Sequence, residues 1–188
     1  MKEKITAAAI ELFDRKGFGS TSIQDIVEAL GVTKGTFYYY FSSKEELLRG
    51  IHLHYIDDLV SHQEEILSDD SLDSKQKLYR IIYLLISDIK KQGASAKVFT
   101  REIRHLNEEH YREITSKRDQ FRYNMEQLLS DGIKNKEFRQ SLNPELIAFG
   151  ILGVTNWSYN WFNPEGSVSD KEVAEMFTEM LLKGIEMN

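Results

Sequence analysis

Apolar residues recur every three or four positions along almost the whole chain, and no segment alternates apolar and polar residues for long enough to predict a strand. The stretch "LYRIIYLLISDI", residues 78–89, shows this spacing. A chain with this pattern buries its apolar side chains by packing helix against helix. We therefore predict an all-α fold of about nine helices.

The length and composition predict a water-soluble protein. A chain of 188 residues is long enough for one large domain or two small ones. It contains no cysteine and therefore no disulfide, so we expect a cytoplasmic location. The N-terminal residues lack the apolar core of a signal peptide. The longest apolar run, residues 146–154, is about half of what a membrane-spanning helix needs, so no membrane partner is expected.

The net charge of −6 is unevenly distributed along the chain. Residues 1–50 hold seven Lys/Arg and seven Asp/Glu, whereas residues 51–188 hold seventeen and twenty-three. The whole excess of acid therefore lies in the second part. The first fifty residues remain able to present a basic face to nucleic acid.

Helix caps and a glycine turn organise these first fifty residues. Ser22 followed by Asp25 predicts the start of a second helix, and Ser43 followed by Glu46 predicts the start of a long fourth one. The turn "LGVT", residues 30–33, joins the second helix to a short third helix. Two helices joined by a tight glycine-containing turn form a helix-turn-helix, whose second helix enters the major groove of DNA.

The third helix, from about residue 33 to 40, has an apolar back and a polar front. Phe37 and Phe41, four residues apart, supply the back, and Tyr40 partly joins them. Gly35 costs the helix up to about 1 kcal/mol relative to alanine, which indicates that the backbone approaches another molecule closely. The residues left facing outward are Thr33, Lys34, Thr36, Tyr38 and Tyr39.

Residues 21–48, "TSIQDIVEALGVTKGTFYYYFSSKEELL", resemble the DNA-binding signature of the TetR family of bacterial transcriptional regulators. The likeness continues back through "AAIELFDRKGF", residues 8–18. It implies a homodimeric repressor that binds double-stranded operator DNA and responds to a small-molecule inducer. It also divides the chain into a helix-turn-helix domain over residues 1–46 and a helical ligand-binding and dimerisation domain over residues 47–188.

The same resemblance assigns DNA contacts to individual residues. Lys44 matches a phosphate-contacting lysine, and Tyr39 occupies a position where the family often has histidine or tryptophan. Ser22 also caps its helix whether or not DNA is bound. The residues placed near bases or phosphates are Ser22, Gln24, Thr33, Lys34, Gly35, Thr36, Tyr38, Tyr39, Tyr40 and Lys44.

Trp157 and Trp161 lie four residues apart on the predicted penultimate helix and share one face. Gly150 and Gly153 leave a flat patch one turn earlier. Two interpretations stay open at this point. The last two helices can pair with their symmetry mates as a homodimer interface, or the indoles can line a ligand cavity.

The segment "GVTNWSYNWFNPEG", residues 153–166, also resembles the C-terminal part of TetR-family members that control fatty-acid or steroid catabolism and sense acyl-coenzyme A thioesters. This resemblance implies an apolar tunnel with cations for the phosphates. An efflux or multidrug-resistance repressor that senses hydrophobic or cationic drugs is the alternative. The ligand-site candidates are Phe99, Arg101, Arg104, His105, Phe121, Trp157 and Trp161, with Lys117, Arg118 and Arg122 as further cations that can instead pair with neighbouring glutamates.

We expect neither an enzyme nor a bound cofactor. The sequence has no cysteine, no glycine-rich phosphate loop and no nucleophile motif. His105 and Glu109 can face each other on a helix but lack a third ligand, so no metal site is predicted. A helical ligand-binding or protein-interaction module that does not bind DNA is the remaining class.

Overall fold

The computed structural model describes residues 1–185, which form eight α-helices and one 3-10 helix. The predicted all-α fold is confirmed, and residues 186–188 of the predicted second domain lie outside the described residues. Within residues 1–185 no helix combines the length and apolarity needed to cross a bilayer. The helices are α1 (Lys2–Lys16), α2 (Ile23–Ala29), α3 (Lys34–Tyr40), α4 (Lys44–Leu67), α5 (Ser74–Arg101), α6 (Glu108–Lys134), α7 (Pro144–Trp161) and α8 (Asp170–Ile185), with the 3-10 helix Ile103–His105 between α5 and α6.

Side-chain caps begin the helices at the predicted positions. At α2 the Ser22 hydroxyl accepts a hydrogen bond from the Asp25 amide at 3.1 Å, and the Asp25 carboxylate accepts one from the Ser22 amide at 2.7 Å. At α4 the Ser43 hydroxyl accepts from the Glu46 amide at 3.0 Å, whereas the Glu46 carboxylate accepts from Arg49. The predicted caps of α7 and α8 form at Asn143 and Ser169.

The sequence predicts a helix stopped by Gly93 and a separate one through Phe99 and Ile103, and the break is confirmed within one residue. The backbone of Gln92 is not helical, with φ −136° and ψ 28°, so α5 consists of two helical parts that meet in a kink there, and Gly93 opens the second part. The fully buried Ala96 anchors the part that follows the kink. Ile103 belongs to the short 3-10 helix.

The described chain forms two compact units. Unit 1 consists of Met1–Asp57 and Gln92–Ser116, and unit 2 consists of Asp58–Lys91 with the chain from Lys117 onward. Because α4, α5 and α6 are long, each contributes residues to both units. The division of function after residue 46 stays a prediction.

Unit 1 has a core in which α1, α2, α3 and the start of α4 meet. Phe13, Ile26, Phe37 and Leu47 are at most 1% exposed there. The segment 92–116 packs with them, because the ring of Phe99 lies 5.3 Å from that of His52 and 4.9 Å from that of Tyr55. A segment more than forty residues downstream of Leu47 thus completes the core of the N-terminal helices.

In unit 2 the turn after α6 folds back over a glycine. The amides of Glu137 and Phe138 donate hydrogen bonds to the carbonyl of Gly132 at 2.8 and 3.1 Å, and Lys136 takes the left-handed conformation, with φ 61°. The Phe138 ring is fully buried and lies where a side chain on Gly132 would stand. The Glu137 carboxylate then accepts hydrogen bonds from the amide and the hydroxyl of Ser74, the first residue of α5. Glu137 thus satisfies a free amide at the start of that helix.

Candidate nucleic-acid interface

The turn between α2 and α3 forms as the glycine predicts. Gly31 has φ +64°, a conformation that favours glycine, and the Val32 amide donates to the carbonyl of Val27 at 2.9 Å. Thr33 then caps α3, because its hydroxyl accepts from the Thr36 amide at 3.3 Å. The start of α3, a helix of only seven residues, is therefore fixed by the hydrogen bond in the preceding turn and by the Thr33 cap.

The two faces of α3 are as different as the sequence predicts. Phe37 is fully buried and Phe41 is 6% exposed, whereas Tyr38 is 55%, Tyr39 81% and Tyr40 36% exposed. The rings of Tyr39 and Tyr40 meet edge to face at 4.8 Å. The buried phenylalanines fix the helix while all three phenol groups remain accessible to a partner.

Gly35 has no steric role in the free chain. A side-chain carbon added there would lie 3.5 Å from the Thr33 hydroxyl, which is an ordinary contact. Lys34 beside it is exposed. The fold of unit 1 therefore does not explain why glycine occupies this position on the outward face.

Ser22 and Gln24, at the start of α2, are both exposed, and both already make hydrogen bonds within the chain. Gln24 donates to the Glu28 carboxylate at 2.6 Å. The hydrogen bonds from the Ser22 side chain and backbone, together with one from Lys16, lower the pKa of Asp25 from 3.8 to about 2. To contact a DNA phosphate, Ser22 and Gln24 must either share or give up their hydrogen bonds to Asp25 and Glu28.

Replacing Asp25 with asparagine should lower stability at neutral pH, with a difference that narrows in acid. The pKa of Asp25 is depressed in the folded state, so its contribution is present above its unfolded pKa of 3.8 and is lost as the pH falls toward about 2. The measurement is the urea midpoint of wild type and Asp25→Asn between pH 6 and pH 3. If the difference in urea midpoint between wild type and Asp25→Asn stayed constant below pH 4, the result would contradict a stabilising role of the Asp25 carboxylate in the capping box.

Lys44 has partners that the sequence did not reveal. Its ammonium group donates to the carbonyls of Phe18 at 2.7 Å and Thr21 at 2.5 Å, and it lies 4.2 Å from the centre of the Phe18 ring. Burial lowers the pKa of Lys44 below its ordinary value. Because an ammonium group has three donors, one N–H remains for a phosphate oxygen. Lys44 thus holds the loop between α1 and α2 in the absence of DNA.

Four of the predicted ligand residues lie in unit 1, and each has a different surrounding. Phe99 is buried, with its ring against those of His52 and Tyr55. Arg101 lies 3.6 Å from the Asp14 carboxylate. His105 lies 3.3 Å from the Glu102 carboxylate, and its ring packs on that of Phe18 at 5.1 Å. Arg104 is exposed.

The other three ligand candidates lie in unit 2. Phe121 is buried on α6, whereas Trp157 and Trp161 are 67% and 50% exposed on α7. The Arg122 guanidinium lies over the ring of Phe149 at 5.1 Å and pairs with Asp119 and Glu126. None of the predicted ligand residues lines the cleft of about 610 Å³ between α5 and α8, whose walls include Tyr79, Arg80, Thr178, Glu179 and Leu182.

An apolar face runs along α7 and continues on α8. Side-chain carbons added at Gly150 and Gly153 would meet nothing within 4 Å, so these glycines leave a flat, open strip. Helical spacing alone could have identified the further members of this face. The large apolar side chains exposed on the two helices are Leu146, Phe149, Trp157, Trp161, Met176 and Met180.

A short helix presented by a glycine turn, with accessible polar groups in front and a buried apolar back, defines a helix-turn-helix DNA-binding protein. Residues 5–51 match the family model for bacterial regulatory proteins of the tetR family. Residues 71–185 match the model for the tetracyclin repressor-like C-terminal domain. The chain belongs to the TetR family of bacterial regulatory proteins.

Individual relatives agree with this assignment. The HTH-type transcriptional repressor KstR2 of Rhodococcus jostii (strain RHA1) is 30% identical over 179 residues, which cover 94% of this chain and 87% of that protein. The fatty acid metabolism regulator protein of Bacillus subtilis (strain 168) is 26% identical and covers 84% of this chain and 83% of its own length. The crystal structure of AibR in complex with isovaleryl coenzyme A and operator DNA has 25% identity and a TM-score of 0.86, covering 96% of this chain and 97% of that one.

Family membership establishes the class of function. The protein is a ligand-responsive transcriptional regulator that binds operator DNA, and its role is regulation rather than catalysis. Within residues 1–185 no group of three or more His, Asp or Glu side chains is arranged to hold a metal ion.

Proposed function

We propose that this protein is a cytoplasmic repressor that binds a near-palindromic operator as a homodimer and is released by an acyl-coenzyme A. The observation that carries the DNA-binding part is the exposed front of α3 on its buried phenylalanine back. The Rhodococcus relative is a transcriptional repressor, which supports repression as the sign of control. AibR crystallises with both isovaleryl coenzyme A and operator DNA, which supports the ligand class.

The proposed DNA contacts divide into two groups. Thr33, Lys34, Thr36 and Tyr38 stand at the front of α3, where base edges can be read, and Gly35 lets the backbone approach. Phosphate contacts position the protein without specifying sequence. We assign these to Ser22, Gln24, Tyr39, Tyr40 and Lys44.

The proposed dimer interface is the exposed apolar face of α7 and α8. A contiguous face of large apolar side chains is a common mark of a protein interface. The open strip at Gly150 and Gly153 lets two α7 helices approach closely, as small residues do in helix pairing. In such a dimer the partner covers Trp157 and Trp161, so the prediction that they line a ligand cavity is the alternative to this interface.

Gly153→Arg should convert the dimer into a monomer, because it places a charged side chain in the middle of this face. The measurement is sedimentation equilibrium, with a wild-type mass of twice the 21.9 kDa chain expected. Gly50→Arg on α4 is the matched control, since Gly50 is also exposed and has open space around it. If Gly153→Arg remains dimeric at the concentration at which wild type dimerises, the interface lies elsewhere.

The predicted ligand contacts are Phe99, Arg101, Arg104 and His105 in unit 1 and, separately, Phe121 in unit 2, with Trp157 and Trp161 as the alternative to their place in the dimer interface. The cations suit coenzyme A phosphates and the aromatic rings suit an acyl chain. Binding of an acyl-coenzyme A must favour the state that does not bind DNA. By linkage, operator DNA must weaken ligand binding by the same factor, typically about 5–150-fold.

Selection of bound sequences from a random duplex library tests the proposal. We expect an enriched palindrome, and we expect isovaleryl-coenzyme A or a longer acyl-coenzyme A to release the protein from it in a gel shift. Free coenzyme A is the control for the acyl group. Failure to enrich any palindrome would refute operator binding, whereas an enriched operator that no acyl-coenzyme A releases would refute only the ligand class.

A further inference from the structure

The cleft between α5 and α8 lies wholly within unit 2 and contains none of the residues assigned above to DNA, to the dimer interface or to the acyl-coenzyme A. Its walls come from residues 72–80, which are the beginning of α5 and the turn before it, and from residues 175–183 of α8. We call it the α5–α8 cleft. Its volume of about 610 Å³ lies within the range of small-molecule sites.

The cleft and the proposed dimer interface lie on different sides of α8. Glu175 and Leu182 line the cleft, whereas Met176 and Met180 belong to the exposed apolar face. With 3.6 residues per turn, the first two residues lie about 100–160° around the helix axis from the two methionines. A molecule in the cleft therefore does not compete with a second protomer for the apolar face.

The floor of the α5–α8 cleft is apolar. Leu72, Tyr79 and Leu182 are half-buried there. Thr178 is buried between them and α8, and its hydroxyl already donates to the carbonyl of Ala174 at 2.7 Å. Such a floor binds the hydrocarbon body of a ligand, because contact with it removes apolar surface from water.

Tyr79 makes one wall of the cleft aromatic. Its ring is stacked on that of Tyr83, with an angle of 15° between the planes and 6.2 Å between the centroids. Aromatic rings favour offset-stacked and edge-to-face contacts with one another. A planar aromatic body in the cleft would extend this pair of tyrosines, which an aliphatic body of the same size cannot do.

Three carboxylates line the cleft, and each already has a partner nearby in the chain. The pairs are Asp73 with the Gln76 amide at 2.8 Å, Glu175 with Lys171 at 3.6 Å, and Glu179 with Lys183. The acids of the α8 wall are thus neutralised by lysines of the same helix. A cationic ligand would have to displace these partners.

Arg80 can accept an anion without such a displacement. Its Nη1 donates to Asp69 at 3.3 Å, which uses one of the five N–H donors of a guanidinium. Asp69 is also held by the hydroxyl and amide of Ser71, which are the main cause of its lowered pKa. The Arg80 side chain is 51% exposed, so the rest of its planar fork can bind a carboxylate.

We propose that the α5–α8 cleft is a second small-molecule site and that it takes planar aromatic carboxylates. The aromatic body lies on the apolar floor against Tyr79, and the carboxylate accepts hydrogen bonds from Arg80. The site is separate from the predicted acyl-coenzyme A contacts. It does not depend on operator binding, so it can be tested on the protein without DNA.

Isothermal titration calorimetry of the full chain with naphthalene-1-carboxylate tests the proposal. A Kd of about 1 mM or tighter is expected, which is ordinary efficiency for a ligand of about 13 non-hydrogen atoms. Two probes with the same ring system separate charge from shape. Uncharged naphthalene-1-carboxamide and cationic 1-naphthylmethylammonium should both bind about tenfold or more weakly, because neither forms a charged pair with Arg80.

Variants of the cleft locate the binding site. Arg80→Gln should weaken binding of the carboxylate about tenfold or more and leave binding of the carboxamide unchanged. Arg80→Lys keeps the charge without the planar fork and should recover only part of the affinity. Tyr79→Leu should weaken both probes about 2–10-fold through loss of the aromatic contact. Arg112→Gln is the matched control, since Arg112 is an exposed arginine paired with Glu108 in unit 1.

Three results would overturn the inference. The first is no binding of the carboxylate to wild type at tenfold above the expected Kd, about 10 mM. The second is binding of the ammonium probe as tightly as the carboxylate. The third is unchanged carboxylate affinity in Arg80→Gln, which would place the probe elsewhere on the protein. Urea midpoints of the variants show that each is folded during the titration.

Discussion

Replacing Tyr38 with alanine should lower operator affinity by about 5–150-fold while leaving a folded dimer. Tyr38 is 55% exposed, and its ring packs edge to face with that of Phe37 at a centroid distance of 5.6 Å, so its removal takes away one outer contact and leaves the buried Phe37 in place. Loss of one specific base contact typically costs about 1–3 kcal/mol. The measurement is a gel shift or fluorescence anisotropy titration on the selected operator at fixed salt.

Tyr38→Phe shows which part of the side chain acts. A contact of the ring with a thymine methyl group survives this change, whereas a hydrogen bond from the hydroxyl does not. Tyr83→Ala, at an exposed tyrosine on α5 in unit 2, is the matched control and should bind as wild type does. Normal operator binding by Tyr38→Ala would show that α3 does not read the bases.

Lys44 is a less informative position for the same experiment. Alanine there removes both hydrogen bonds to the loop between α1 and α2 as well as any phosphate contact. Loss of DNA binding by Lys44→Ala would therefore combine two causes. A phosphate contact would be identified by a weaker salt dependence of operator affinity in Lys44→Ala than in wild type, with a slope that corresponds to about one counterion fewer released on binding.

Replacing Gly132 with alanine should lower the free energy of unfolding by about 2–3 kcal/mol, within the usual range for overpacking a core. The added carbon would lie 2.3 Å from two atoms of the Phe138 ring and 3.1 Å from the Cβ of Ser74. The ring is fully buried, and its own backbone amide is hydrogen-bonded to Gly132, so it cannot withdraw freely. The measurement is urea unfolding at one protein concentration, since dimerisation makes stability concentration-dependent.

Gly50→Ala is the control for this prediction. Gly50 lies in α4 with nothing within 4 Å of an added side-chain carbon, so alanine there should raise stability by up to about 1 kcal/mol through helix propensity. The double variant Gly132→Ala with Phe138→Leu should recover part of the loss, because leucine relieves the overlap. Equal urea midpoints for Gly132→Ala and wild type would contradict the packing of Phe138 on this glycine.

Local features of the fold could be predicted from the sequence because they depend on neighbours in the chain. The box of Ser22 with Asp25 needs only a spacing of three, and the buried Phe37 beside the exposed Tyr38 follows from helical periodicity. The kink at Gln92 lies one residue before Gly93, where the sequence predicts that the helix stops. Glycine has a low helix propensity, but burial of the next turn keeps it helical here.

The contacts of the candidate site that depend on distant residues could not be predicted in this way. The sequence marks Lys44 as a cation but does not show that the carbonyls of Phe18 and Thr21 lie against it. It places Arg49 and Glu113 sixty-four positions apart, with nothing to indicate that they pair. Such pairs are created by the packing of helices. The predicted ligand contacts depend on this packing too, whereas the predicted DNA contacts follow from one short helix and its flanks.

The packing of segment 92–116 with the first fifty-seven residues matters for anyone who exchanges domains between regulators of this family. A graft cut after residue 46 would carry the DNA-reading helices away from the partners that complete unit 1. These partners include Arg101, His105 and His110, which contact Asp14, Phe18 and Glu45. The specificity module that can be transplanted intact is therefore discontinuous in sequence. A hybrid regulator needs the corner between α5 and α6 from the same parent as its reading helix.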